Sequence, residues 1–321
     1  MKNKLKNLIM FIIILIITVF FLYYYNVERY RINSPMADIE YKRSIIRDSH
    51  NPFYKLENLR SVVGETELIE FIKSNDNNPE IYSPSKKNIT NGTFRANLHM
   101  HTLNSDGIAS VEQRLDAAQR YAENKFPNGY MYIAITDHNT VLGAKEVVKI
   151  LQKYPKRFKN VKVILGMEVY TAFKSRYYDK PVQVHVLTWC LNPYDKFLNK
   201  EFFKADLNDK WNRGKKDRDF DYIIPVMSKY AIPGIAHPIR YTNRLGEKKF
   251  LYMEEMFDSY SKLSTKPLFA EVYYQVYPRY YSAEFYKTTI IPYQKFVNEK
   301  AQKYGITRTG STDSHSMIIF D

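Results

Sequence analysis

A single cysteine, Cys190, in 321 residues leaves no partner for an intramolecular disulfide and no pair for a cysteine-based zinc finger. That usage fits any redox compartment. Histidine is sparse, with seven copies. There is no G-x-S-x-G elbow to present a nucleophilic serine, no aromatic RNA-binding signature, and no internal repeat. Covalent serine chemistry and the common nucleic-acid modules are therefore without support. Charge is missing from one stretch, Leu8 to Tyr25, which runs for 18 residues without Asp, Glu, Lys, Arg or His.

Elsewhere charge is plentiful and unbalanced. Lys and Arg number 48 against 34 Asp and Glu, a formal net charge of +14. Such a balance favours anionic partners, from phosphorylated small molecules to an acidic membrane surface. A solvated lysine-rich surface explains it equally well. With 45% apolar and 26% charged residues the composition is that of an ordinary globular protein, long enough for one large core or two modest ones.

The uncharged stretch follows Lys2, Lys4 and Lys6. As a helix it would rise roughly 27 Å, enough to cross a bilayer core. It is longer than a typical signal-peptide core, and neither a small-residue cleavage site nor a lipid-carrying cysteine follows it. Residues 1–25 are therefore expected to be an uncleaved single-span signal anchor. The lysines ahead of it place the chain that follows on the extracytoplasmic side; Arg29 and Arg31, just beyond, pull the other way. Residues 26–93 read as a membrane-proximal linker and N-terminal extension. Their segment 74–93 is rich in Asn, Ser, Pro and Lys, with N-x-Ser/Thr triplets at Asn88 and Asn91.

From Phe94 to residue 321 the pattern changes. Short apolar runs at 94–101, 130–136, 161–169, 182–188, 232–236, 268–274 and 306–311 alternate with amphipathic stretches such as 111–124 and 288–305. This is α/β alternation, expected to form a parallel sheet closed or nearly closed into a barrel with helices outside. Barrel enzymes carry their chemistry at the C-terminal ends of the strands. Ligand-type residues fall there. "NLHMHTLNSDG" (97–107) holds His99 and His101, which alternate strand geometry puts on one face, followed by Asp106. "MYIAITDHNT" ends in Asp137 and His138, and "VKVILGMEVYT" carries Glu168. "VQVHVLTWC" contains His185, "IPGIAHPIR" reaches His237, and "TRTGSTDSHS" holds Asp313 and His315. Only His50 of the seven histidines lies elsewhere.

The ordered set HMHTLNSDG, TDHN, GME, HVL, AHP and GSTDSH resembles the PHP (polymerase and histidinol phosphatase) superfamily of metal-dependent phosphoesterases, over about 94–321. The resemblance implies a distorted (β/α)7 TIM-like barrel with two or three divalent ions. It assigns His99, His101, Glu168 and Asp313 to a first metal, and Asp106, His138 and His315 to a second. A third would be shared by Glu168, His185 and His237. Imidazole and carboxylate ligands together suit Zn, Mn or Fe. The chain departs from the family pattern twice. Asn97 stands where Asp usually precedes the Leu of the first motif, and Thr312 intervenes between Ser311 and Asp313. Both changes touch the surroundings of the ligands rather than the ligands.

The reaction expected is hydrolysis of a phosphate ester by a metal-activated hydroxide, with a phosphorylated small molecule as substrate; nucleotides are among the candidates, and nucleic acid itself is not indicated. Two further residues are candidates for catalytic roles. Asp137 either orients a neighbour or transfers a proton. Arg240, three residues after His237, is placed to hold a phosphate. Lys174, Arg176 and the run 213–218 read as solvated charge, and 196–220 as a lid or a substrate-selecting insertion. Cys190 reads as a buried structural thiol. Two other functions compete: hydrolysis of a non-phosphate bond, as in the related amidohydrolases, and a metal-binding scaffold without activity. No carboxylated-lysine signature supports the first. The full ligand set opposes the second. Oligomeric state is open.

Overall fold

A computed structural model describes residues 59–82, 85–202, 218–238, 240, 243–274, 284 and 286–315. The expected anchor and the first part of the linker lie outside them. Among the described residues no helix is long and apolar enough to cross a membrane.

The strands are β1 (Ala96–Asn97), β2 (Met131–Ile135), β3 (Val161–Phe173), β4 (Val182–Trp189), β5 (Arg218–Asp219), β6 (Ile232–Ala236), β7 (Leu268–Tyr274) and β8 (Ile306–Ser311). Their order is β1-β2-β3-β4-β6-β7-β8, with the short β5 paired to β3 off this path. One isolated parallel bridge, Met100 to Ser314, draws the two ends of the sheet together. His101 N–H donates to the Ser314 carbonyl at 2.9 Å across that seam. The result is the nearly closed barrel that the strand-helix alternation implied.

The strands are not all parallel. β4 runs antiparallel to both β3 and β6. The connection 174–181 is shorter than the roughly dozen residues that a parallel crossover needs, so the chain turns back as a hairpin. Reversal explains why His185 sits early in β4 rather than at its end. Its cross-strand neighbours are Tyr170 of β3 and Ala236, the last residue of β6.

Helices α1 (Glu65–Ser74), α2 (Lys86–Asn91), α3 (Val111–Lys125), α4 (Leu142–Lys153), α5 (Lys196–Phe202), α6 (Phe220–Met227), α7 (Lys249–Leu263) and α8 (Ile291–Tyr304) accompany the strands. The sequence begins and ends several of them with recognisable chemistry. Ser110 and Gln113 form a reciprocal capping box on α3, and Gly305 closes α8 in the left-handed conformation. Two-residue periodicity sorts each strand. Val163, Leu165, Met167 and Val169 of β3 pack outward under α3 and α4, whereas Ile164 faces the interior. Interior positions 166, 168 and 170 continue that row towards the C-terminal end.

The described residues of 59–93 pack against the barrel. Leu68 and Ile72 of α1, with Val63 and Tyr82, join the interior cluster of Ala96, Leu98, Ala134, Ile164, Leu187, Trp189, Ile232 and Phe269. Ion pairs fasten the segment to the barrel: Glu65 to Lys266, Glu67 to Lys162 and Asp76 to Arg308. The extension plugs the interior and is part of the folded unit. Its polar 74–93 stretch hid this from composition alone, because its apolar anchors are few and widely spaced. Asn88 is buried, so its glycosylation triplet is covered in the folded chain.

Candidate metal centre

The interior row of β3 leads directly to the centre of the site. Glu168 is fully buried and meets five imidazoles. Its Oε2 lies 3.1 Å from His99 Nε2, 3.2 Å from His101 Nε2 and 2.8 Å from His138 Nδ1. Its Oε1 lies 2.6 Å from His185 Nδ1 and 2.9 Å from His237 Nε2. Residues from β3, β4 and the segments after β1, β2 and β6 therefore converge on one carboxylate. The turn that follows β8 adds Asp313, whose Oδ1 is 3.3 Å from His99 Nε2 and 3.1 Å from His101 Nε2.

These distances test the fit of a metal ion. Nitrogen and oxygen ligands at about 2.0–2.1 Å from a tetrahedral centre lie roughly 3.3–3.4 Å from one another. His99 Nε2 and His101 Nε2 are 3.0 Å apart, and four further edges of the set with Glu168 and Asp313 span 3.1–3.3 Å. Two imidazole nitrogens facing each other so closely cannot both donate. Their lone pairs and two carboxylate oxygens share one focus, which is the demand of a cation. The expected first-metal set is brought together as a group.

A second group unites Asp106, His138 and His315, with His101 alongside. Asp106 Oδ2 is 2.9 Å from His315 Nε2 and 3.5 Å from His138 Nε2. His315 is 32% exposed and marks the open side of the centre. The residues expected for a third metal also meet: His185 Nδ1 and His237 Nε2 both approach Glu168 Oε1, at 2.6 and 2.9 Å, and His138 forms a further group with Glu168 and His185.

Electrostatics carry the same message. Burial would raise the Glu168 and Asp313 carboxyls, but the surrounding imidazoles, His99 foremost, hold both well below the usual range. Burial opposes charge on His99 and His138 too, yet Glu168 and its neighbouring carboxylates lift His99 well above the ordinary value and His138 to about 10. His185 goes the other way: burial wins and pushes it to about 3. The fixed negative charge at the centre calls for positive charge among the rings.

The backbone is bent to this purpose. His237 and Asp313 adopt φ of 24° and 50°, uncommon for residues with a side chain. The alternation of the first strand is broken as well. Leu98 packs in the interior and Met100 outside, yet His99 and His101 both turn inward. That interruption is why β1 is only two residues long.

Asp137 is buried and accepts three hydrogen bonds from the loop after His101. Its Oδ1 accepts from Thr102 N–H at 2.6 Å and Ser105 Oγ at 2.7 Å, and its Oδ2 accepts from Thr102 Oγ1 at 2.7 Å. It anchors the loop that carries Asp106. Glycines allow the close approach on either side: a Cβ on Gly107 would run into the His101 carbonyl, and one on Gly143 into the Asp137 carboxylate. Arg240 Nη1 pairs with Asp313 Oδ2 at 2.7 Å and the side chain is 42% exposed, at the rim of the centre. Cys190 is partly buried at the end of β4, away from the cluster's ligands. Of the 196–220 segment, α5, β5 and Phe220 are described, and 203–217 lie outside the described residues.

The two departures from the family pattern meet each other. Asn97 Nδ2 donates to Thr312 Oγ1 at 2.7 Å, and Thr312 N–H donates back to Asn97 Oδ1 at 3.2 Å. Together they tie β1 to the turn after β8.

One residue was missed in the sequence. Glu271 of β7 is fully buried behind His99, with its Oε1 3.2 Å from His99 Nδ1. The signal was available: in "LFAEVYY" it is a lone acid two residues beyond Phe269, on the face that points inward.

Comparison with known proteins agrees with this architecture. The PHP domain profile matches residues 97–304, more than half of the chain. The chain belongs to the PHP domain family. A DNA polymerase/3'-5' exonuclease, PolX, from Bacillus subtilis (strain 168) is 29% identical over 107 residues, covering 30% of this chain and 18% of the polymerase. The PHP chain thus matches less than a fifth of that relative's length. An amidohydrolase from Chromobacterium violaceum, solved with bound sulfate and no metal, superposes with a TM-score of 0.50 at 14% identity. That match covers 69% of this chain and 88% of the other, and it shows the shared fold. A protein from Bifidobacterium adolescentis, proposed as a metal-dependent phosphoesterase, gives a TM-score of 0.44 at 15% identity over 69% of this chain and 88% of that one.

Proposed function

We propose that this PHP domain is a metal-dependent phosphoesterase acting on a phosphorylated small molecule, with two or three divalent ions (Zn, Mn or Fe) held by His99, His101, Asp106, His138, Glu168, His185, His237, Asp313 and His315. The observation that carries this reading is the convergence of His99 Nε2, His101 Nε2, Glu168 Oε2 and Asp313 Oδ1, with the two nitrogens 3.0 Å apart and each of them 3.1–3.3 Å from both oxygens. Ions bound there would lower the pKa of water and stabilise charge developing on a phosphoryl oxygen. The protein's own groups do the rest. Glu168 and Asp313 stay ionised and keep the imidazole nitrogens aimed inward. Asp137 fixes the loop bearing Asp106. Arg240, exposed at the rim and paired through Nη1 with Asp313, places its positive charge where an incoming phosphate would meet it. The barrel interior behind the cluster is filled by side chains, so substrate enters from the His315 side.

The uncharged run at 8–25 supports a second part of the proposal: a single-span membrane anchor with the catalytic domain extracytoplasmic. The test is turnover of p-nitrophenyl phosphate and bis-p-nitrophenyl phosphate by the full chain in mild detergent with added Mn or Zn, with p-nitroacetanilide as the amide control. Ester cleavage that is lost in His101→Ala and Asp313→Ala supports the assignment. Cleavage of the amide alone would move the protein to the amidohydrolase class.

A further inference from the structure

We infer that Glu271 is the positioning residue of the metal centre, holding His99 as the tautomer that offers Nε2 to a metal. The inference rests on the metal-dependent reading above and extends it to a group that is no ligand. The two oxygens of Glu271 lie 3.2 and 3.3 Å from His99 Nδ1, on the side of the ring opposite Glu168 and Asp313. A carboxylate only accepts, so Nδ1 facing Glu271 carries a proton, and a metal bound between Glu168 and Asp313 would take Nε2 in place of a second one. A second acceptance fixes a second ligand: His237 N–H donates to Glu271 Oε2 at 2.8 Å, at the residue whose backbone is bent to φ 24°. The third partner is Ser311, whose hydroxyl donates to Oε1. One buried carboxylate thereby registers the segments after β1 and β6 against the end of β8. The Tyr293 hydroxyl, donating to the Glu271 carbonyl, pins β7 beneath it.

Glutamine at 271 keeps the size and loses one acceptor. Its amide nitrogen would confront either His99 Nδ1–H or the His237 N–H. Partners of this kind typically set metal affinity by about 10–100-fold.

Zinc is the probe, titrated into the full chain in mild detergent against a chromophoric chelator. Glu271→Gln is expected to weaken the tightest zinc by about 10–100-fold relative to the unsubstituted protein. Equal affinity, within about twofold, in a folded Glu271→Gln protein overturns the inference and leaves the metal reading intact. A second measurement needs no Glu271 variant. In zinc-loaded protein with 15N-labelled histidine, the ring lost in His99→Gln identifies His99, and its Nδ1 should carry the proton. A proton on Nε2 overturns the inference even if Glu271→Gln fails to fold. Zinc binding by neither protein removes the reading on which the inference stands.

Discussion

Asn97→Ala removes a buried amide that both donates to Thr312 Oγ1 and accepts from Thr312 N–H. Each hydrogen bond contributes about 0.5–1.5 kcal/mol net, and each buried group left without a partner costs about 1–3 kcal/mol. Two groups of Thr312 are stranded, so the loss should be about 2–6 kcal/mol, or roughly 4–12 °C in melting temperature. Thr312→Val removes only the hydroxyl and should cost about 1–2 kcal/mol. In the double variant the Asn97–Thr312 hydroxyl bond is lost once rather than twice. The combined loss should therefore fall short of the sum by about 1–2 kcal/mol. Urea unfolding of the full chain in detergent, with metals chelated and followed by circular dichroism, measures all four corners of the cycle. Additivity within about 0.5 kcal/mol would refute the claim that these two residues act as a unit closing the barrel seam.

Other consequences follow from the same geometry. Leu68→Ala, in the plug, should cost about 2–5 kcal/mol in chemical denaturation, and a chain started at residue 94 should fail to give a cooperative transition. A cooperative melt from that fragment would show the extension to be dispensable. Gly143→Ala forces a methyl against the Asp137 carboxylate; it should destabilise by about 1–3 kcal/mol and lower zinc affinity through the Asp106 loop, both read on one purified sample. Burial holds the Cys190 thiol well above its usual range, so at pH 8 Ellman's reagent should label it only after unfolding. Rapid labelling of native protein would contradict that burial. Burial lowers Lys145 to about 8 from its ordinary value of 10.5. Between those values the unfolded chain binds more protons than the folded one, so this residue makes stability rise with pH from about 8 to about 10, a slope that Lys145→Met should flatten.

Much of this was legible from the sequence because the barrel imposes a period of two on its strands. The expected runs at 232–236, 268–274 and 306–311 coincide with β6, β7 and β8. The same alternation located the histidines that converge on Glu168. It failed where the chain breaks its own period. Leu98 and His99 both turn inward, so an expected eight-residue strand shrank to Ala96–Asn97 while the histidine pair still met. The direction of β4 depended on the length of one loop, 174–181, rather than on any residue in the strand. The plug was obscured because α1 is a short amphipathic helix, with only Leu68 and Ile72 fully buried, followed by the polar 74–93 stretch. Glu271 was barely legible because a lone acid in the apolar run of β7 has no ligand-type neighbour at i ± 2 to mark it, and its partners His99, His237 and Ser311 come from distant segments.

The central claim is that the convergent imidazoles and carboxylates hold divalent metal. The most direct measurement is elemental analysis of the folded full chain, loaded in turn with Zn, Mn and Fe and freed of excess ion, beside His101→Ala and Asp313→Ala. The expected result is two or three ions per chain, with at least one lost in each variant. A folded protein that retains no ion under any loading condition would contradict the claim.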